Sequence, residues 1–125
     1  MPVQQEPVNL GDLLKYEASH YYSRDTAVVA AGQQLNVGTV VSQDSNTGKW
    51  YALDPSGNDG VEIAAGILAV DVNAVTSDFD EAIVIARHAI VSSAEVVWPA
   101  SITANEKTTA IEELKALGVL IRVAA

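Results

Sequence analysis

Residues 82–91 read Ala-Ile-Val-Ile-Ala-Arg-His-Ala-Ile-Val, and this run sets the fold class. Ile83, Val84, Ile85, Ile90 and Val91 are β-branched, stiff at χ1, and suit a pleated strand better than a helix. Alternation puts Ile83, Ile85 and Arg87 on one face and Val84, Ala86 and His88 on the other. The polar, acidic stretch 73–80 precedes the run, and Ala94–Trp98 follows as another strand candidate, closed by Pro99.

The same texture extends towards the N-terminus. Glu62–Val72 is a long apolar stretch interrupted by Gly66, which marks a bulge or a close backbone approach. Asp54–Gly60 (DPSGNDG) is dense in turn formers and is expected to be a loop. Thr39–Ser42 and Trp50–Leu53 flank the turn cluster Asp44–Lys49 and predict a hairpin. Thr26–Val29 is a short strand candidate, followed by a turn at Ala31–Gln34.

Towards the C-terminus the period changes. Thr103 and Glu106 have capping-box spacing. Ala110, Ile111, Leu114 and Leu117 fall on one helical stripe, Glu112 and Lys115 form an i, i+3 pair, and Gly118 stands where a helix stops. Val119–Val123 is a final strand candidate. The expected fold is α+β and mainly β: a small single domain of about seven short strands, with one C-terminal helix and a flexible N-terminal arm.

The arm is expected over residues 1–15, with the globular β-rich domain over 16–125. Pro2, Pro7 and the polar residues between them lack any period, and proline withholds a backbone donor. Fully extended, fifteen residues reach roughly 50 Å. Leu10, Leu13 and Leu14 stand at i, i+3, i+4, which fits either a helical turn within Leu10–Glu17 or anchors that dock the arm.

The chain has 125 residues, enough for one hydrophobic core. It has no cysteine, which removes disulfides, thiolate metal sites and thiol nucleophiles. Seven basic residues against sixteen acidic ones leave a net charge of −9, so neither a nucleic acid nor an anionic membrane is an expected partner. No apolar run approaches a membrane span, and the N-terminus lacks the features of a secretory signal; synthesis and retention in a cytoplasm are expected.

Catalytic and metal chemistry find little support. His88 reads as a strand histidine with no second ligand at metal spacing. His20, Ser23 and Asp25 lie too close in sequence to converge on one reacting atom. The loop from Asp54 to Glu62 departs from the EF-hand pattern, and Asp78, Asp80 and Glu81 read as a charged strand edge. Phosphate-loop, dinucleotide-binding and nucleophile-elbow motifs do not occur. No catalytic residue, metal or cofactor is expected.

The order of segments is more specific than any one of them. Asn9–Glu17 (NLGDLLKYE) is followed by Tyr22–Asp25, Ala30–Gln33 and Val37–Val41. Then come Lys49–Asp54, Ala64–Leu68, Ala82–Arg87 and Val97–Pro99. This ordered set resembles the lambda-type head decoration proteins of tailed bacteriophages, from about Asn9 to the C-terminus. The resemblance implies a structural virion protein without catalysis, made in the host cytoplasm. It implies a homotrimer on the outer surface of the expanded capsid, at three-fold and quasi-three-fold positions, that holds the major capsid protein against the pressure of packaged DNA. It also implies a capsid-binding arm, here Glu6, Pro7, Val8, Asn9, Leu10, Gly11, Asp12, Leu13, Leu14 and Lys15. The alternative is a β-rich adhesion or carbohydrate-binding module with Trp50, Tyr51 and Trp98 as a stacking platform. Trp50 and Tyr51 are adjacent and would face opposite ways in a strand, which weakens it.

Overall fold

Period-two alternation sends successive apolar residues into two different packing clusters, which explains why the strands read as unbroken apolar runs. In the computed structural model, which describes residues 10–19 and 23–123, Val40, Ile67 and Ile85 belong to one cluster. Their sequence neighbours Val41, Leu68 and Val84 belong to the other. All six are fully buried.

The described residues form ten strands and one long helix, so the fold is mainly β as expected. A helical turn α1 (Leu10–Leu13) leads into β1 (Leu14–Glu17), then β2 (Arg24–Val29), β3 (Gln33–Leu35), β4 (Val40–Gln43) and β5 (Trp50–Ala52). After the long loop come β6 (Gly66–Leu68), β7 (Val72–Ala74), β8 (Phe79–Ile85) and β9 (Ala89–Ser92). A 3-10 turn (Ser93–Glu95), helix α2 (Ala104–Ala116) and β10 (Val119–Arg122) complete the chain.

Five strands close into a barrel in the order β2-β5-β4-β6-β8. The predicted hairpin is present: β4 and β5 run antiparallel with Val41 opposite Ala52 and Gln43 opposite Trp50. Beside the barrel lies a three-stranded sheet in the order β1-β9-β10, and β3 pairs with β7 in a two-stranded ribbon. Helix α2 buries Ala110 and Leu114 in the cluster that also holds Leu13, Val91 and Val119. The helix begins with the predicted capping box: Glu106 N donates to Thr103 Oγ1 at 3.1 Å and Thr103 N donates to Glu106 Oε1 at 2.9 Å.

Several expectations are corrected. The run 82–91 is two strands in different sheets, broken at Arg87-His88, where His88 takes a left-handed φ of 51°. Its histidine is therefore a turn residue. Ala94–Trp98 forms no regular strand, contributing part of a 3-10 turn and one parallel bridge from Val97 to Thr39. Gln33 and Gln34, read as a turn, start β3, which pairs with β7 through Gln33–Ala74 and Leu35–Val72. Leu117 is 40% exposed because it is the C-cap, where the chain leaves the helical path.

The first core strand was expected near Thr26, but the body begins earlier. Leu13 is fully buried in the core and β1 pairs with β9 from Leu14 onward. The expected helical turn and the expected anchor are both present, in sequence. Residues 1–9 of the expected arm, and His20, Tyr21 and Tyr22, lie outside the described residues.

Candidate functional site

The segment expected to make contact divides at Leu10. Glu6, Pro7, Val8 and Asn9 lie outside the described residues. Leu10, Gly11, Asp12 and Leu13 form α1, and Leu14 and Lys15 open β1. Leu13 plugs into the core while Leu10 and Leu14 pack partly against it. This anchor fixes the point from which residues 1–9 depart.

β1 stands at the margin of its sheet. It pairs antiparallel with β9 through Leu14–Val91, Tyr16–Ile90 and Glu17–Ala89, with an irregularity at Lys15. Ala18 N donates to His88 O at 3.0 Å and continues the contact past the strand. No described strand pairs with the other side of β1. The backbone groups on that side can take an added strand.

The end of β1 is held by a polar clamp. Glu17 accepts from Ser23 Oγ at 2.6 Å, from Arg24 Nε at 2.6 Å and from Arg24 Nη2 at 2.7 Å. Its side chain is 5% exposed and that of Arg24 20%, so this is a sheltered bidentate pair. The hydrogen bond and the charge of Glu17 raise the pKa of Arg24, against the opposing effect of burial. The clamp ties β1 to the barrel strand β2. Sequence reading missed it, since Glu17 and Arg24 are seven residues apart across a break in regular structure.

The other candidates do not converge. Ser23 is engaged by Glu17, and Asp25 accepts from Arg87 Nη2 at 2.7 Å and Nη1 at 3.1 Å, so neither stands as a general-base partner. In the 54–62 loop, Asp54 Oδ1 accepts from Ser56 and Glu62 Oε1 accepts from Gly60 N; these carboxylates support their own turns. Asp78 binds Lys49 at 2.9 Å and accepts from Ala31 N at 2.8 Å. No group of three or more histidines and carboxylates is placed to hold a metal among the described residues. Trp50 is buried in one core cluster, whereas Trp98 packs against the other and lies 5.4 Å from Lys107 Nζ. The tryptophans thus offer no common platform.

A family model described as bacteriophage lambda head decoration protein D matches residues 3–119, spanning α1 to the start of β10. The chain belongs to that family. No curated protein matches it. The family is a structural one of the phage head rather than a family of enzymes, and head decoration entails association with a capsid. The match includes the α1–β1 segment as well as the barrel, so the sheet margin that carries the N-terminal residues is part of the decoration fold.

Proposed function

We propose that the chain acts as a homotrimer on the outer surface of the expanded capsid, at three-fold and quasi-three-fold positions, and stabilises the shell against packaged-DNA pressure. The capsid-binding arm over residues 1–15 makes its contacts within Glu6–Lys15, except at Leu13, whose buried side chain anchors it in the folded decoration domain of residues 16–125. The major capsid protein is the partner.

The observation that carries this reading is the side of β1 with which no described strand pairs, next to the buried anchor Leu13. An extended segment of the shell that pairs there gains main-chain hydrogen bonds without disturbing the barrel. Three arms on one trimer bind jointly, so each can be weak while the whole holds tightly. Because the trimer binds the intact expanded shell, it stabilises that shell by mass action. A net charge of −9 per chain suits the outside of a head better than a surface lined by DNA.

Light scattering and co-sedimentation with expanded, DNA-free capsids of its own phage test the proposal. The expected mass is about three times 13.2 kDa, from one repeated contact closed into a ring. The full chain should sediment with the shells and a chain lacking residues 1–9 should do so far less. A monomer, or full-strength binding by the folded truncated chain, would overturn the arm-and-trimer reading.

A further inference from the structure

The outer face of the three-stranded sheet carries an apolar row drawn from three distant segments. Tyr16 stands opposite Ile90, and Ile90 stands opposite Leu120. Their neighbours Val91 and Val119 point into the core, so the row faces outward. Tyr16 is 59% exposed, and Ile90 and Leu120 are half-buried. With Ala18, His88 and Gly118 they line an open groove of about 350 Å³ that contains no carboxylate, on a chain with sixteen acidic residues.

The surrounding charge points the same way. Arg24, Lys49 and Arg87 pair with Glu17, Asp78 and Asp25, and Lys107 lies over Trp98. Lys15, Lys115 and Arg122 have no ion-pair partner among the described residues. The predicted Glu112–Lys115 pair is not among the ion pairs formed. Lys15 lies on β1 at one margin of the sheet, Arg122 on β10 at the other, and Lys115 in the last turn of α2 just before β10. Two of these cations, Lys15 and Arg122, thus stand on the outer strands of the sheet that carries the groove.

We propose that this face is a second, body-borne docking surface for the capsid protein, taking an apolar side chain flanked by carboxylates. The inference rests on the capsid-binding reading above and adds to the arm a site on the folded domain. Continuity favours the shell as occupant: β1 is both the strand that continues the arm and one wall of the groove. A shell strand added to the open side of β1 lies about 4.8 Å away and extends the Tyr16–Ile90–Leu120 row by one residue. A carboxylate on that strand meets Lys15 on the same margin, which sets its register, while Arg122 on the far margin adds longer-range attraction that steers the approach.

The test is co-sedimentation of full-length variants with expanded, DNA-free capsids, with circular dichroism and light scattering on the same samples. Tyr16→Glu should weaken binding about tenfold or more, because it places a charge in the centre of the contact. Leu120→Glu should do the same; if it fails to fold, Tyr16→Glu decides, since that side chain is largely in solvent. Arg122→Glu should weaken binding less and flatten its dependence on salt. Parent-like binding by folded Tyr16→Glu, with loss of binding on deleting residues 1–9, would overturn this inference and leave the arm reading standing. A variant that loses its trimer mass would identify the face as a contact between copies and overturn it equally. A parent chain that does not sediment with the shells would overturn both.

Discussion

Gly118 and His88 interlock where β9 and β10 begin: a Cβ at position 118 would lie 2.7 Å from His88 Cδ2 and 3.1 Å from His88 N. Both residues have left-handed backbones, with φ of 86° and 51°, and Gly118 O accepts from Ala89 N at 3.1 Å. The turn after α2 and the turn after β8 therefore fix each other, and they set the register of the parallel pair Val119–Ala89.

Gly118→Ala is expected to destabilise the protein by on the order of 1–3 kcal/mol from backbone strain, with a further loss from the imidazole contact. His88→Ala in the same chain should recover the part due to Cδ2. A double-mutant cycle by denaturant unfolding measures the coupling; strict additivity would show that the two turns are independent.

Leu13→Ala should cost about 2–5 kcal/mol, since the side chain is fully buried. Deleting residues 1–9 should leave the midpoint of unfolding nearly unchanged. Deleting residues 1–14 removes a core side chain and the first residue of β1, and should lower the midpoint by several degrees. Thermal melts of the three proteins separate these effects.

A Cβ at Gly66 would fall on Val84 Cγ1 and lie 2.9 Å from Ile85 O. The close backbone approach read from the sequence is present, in a strand whose neighbours are β4 and β8. Gly66→Ala should destabilise by about 1–3 kcal/mol through overpacking, measured as a lower denaturant midpoint at unchanged slope.

The hydrogen bond from Lys49, then that from the Ala31 N–H, and last the charge of Lys49 hold the Asp78 carboxyl below its ordinary pKa. A depressed carboxylate pKa contributes stability that is present above the unfolded value, near 3.9, and is lost as pH falls through the folded value. Asp78→Asn should therefore be slightly less stable at neutral pH and lose less on acidification below about pH 4. Urea unfolding at pH 7 and pH 3 reads both effects, and a variant whose acid loss matches the parent's would contradict the assignment.

Leu114→Ala should cost about 2–5 kcal/mol and Thr103→Ala about 0.5–2 kcal/mol, the first by opening a core cavity and the second by removing the cap. An unchanged melting temperature for Leu114→Ala would place the helix stripe outside the core.

Local chemistry made α2 and the β4–β5 hairpin legible: a capping box, a 3.6-residue stripe and a turn cluster act within a few residues of each other. The strands that reading missed are short and paired at long range. β3 and β7 have three residues each and meet through Gln33 and Ala74. Three residues carry no period to detect. The break at His88 is hidden because apolar residues continue through it and the left-handed residue is not a glycine. The anchor at Leu13 was legible as one of two options, whereas the groove was not. Tyr16, Ile90 and Leu120 meet only through sheet pairing, and nothing local in the sequence marks Tyr16 as the exposed member.

The order of strands in the three-stranded sheet also bears on synthesis. β1 is made well before its partner β9, which begins at Ala89, and the third strand ends at Arg122. At roughly 5–20 residues per second, a ribosome takes several seconds between making the first strand and the last. Until β9 is made β1 has no partner, and until β10 is made their sheet is incomplete. A chain stopped anywhere before β10 would carry β1 without the finished sheet, so the margin that β1 forms exists only once the C-terminal strand has been made.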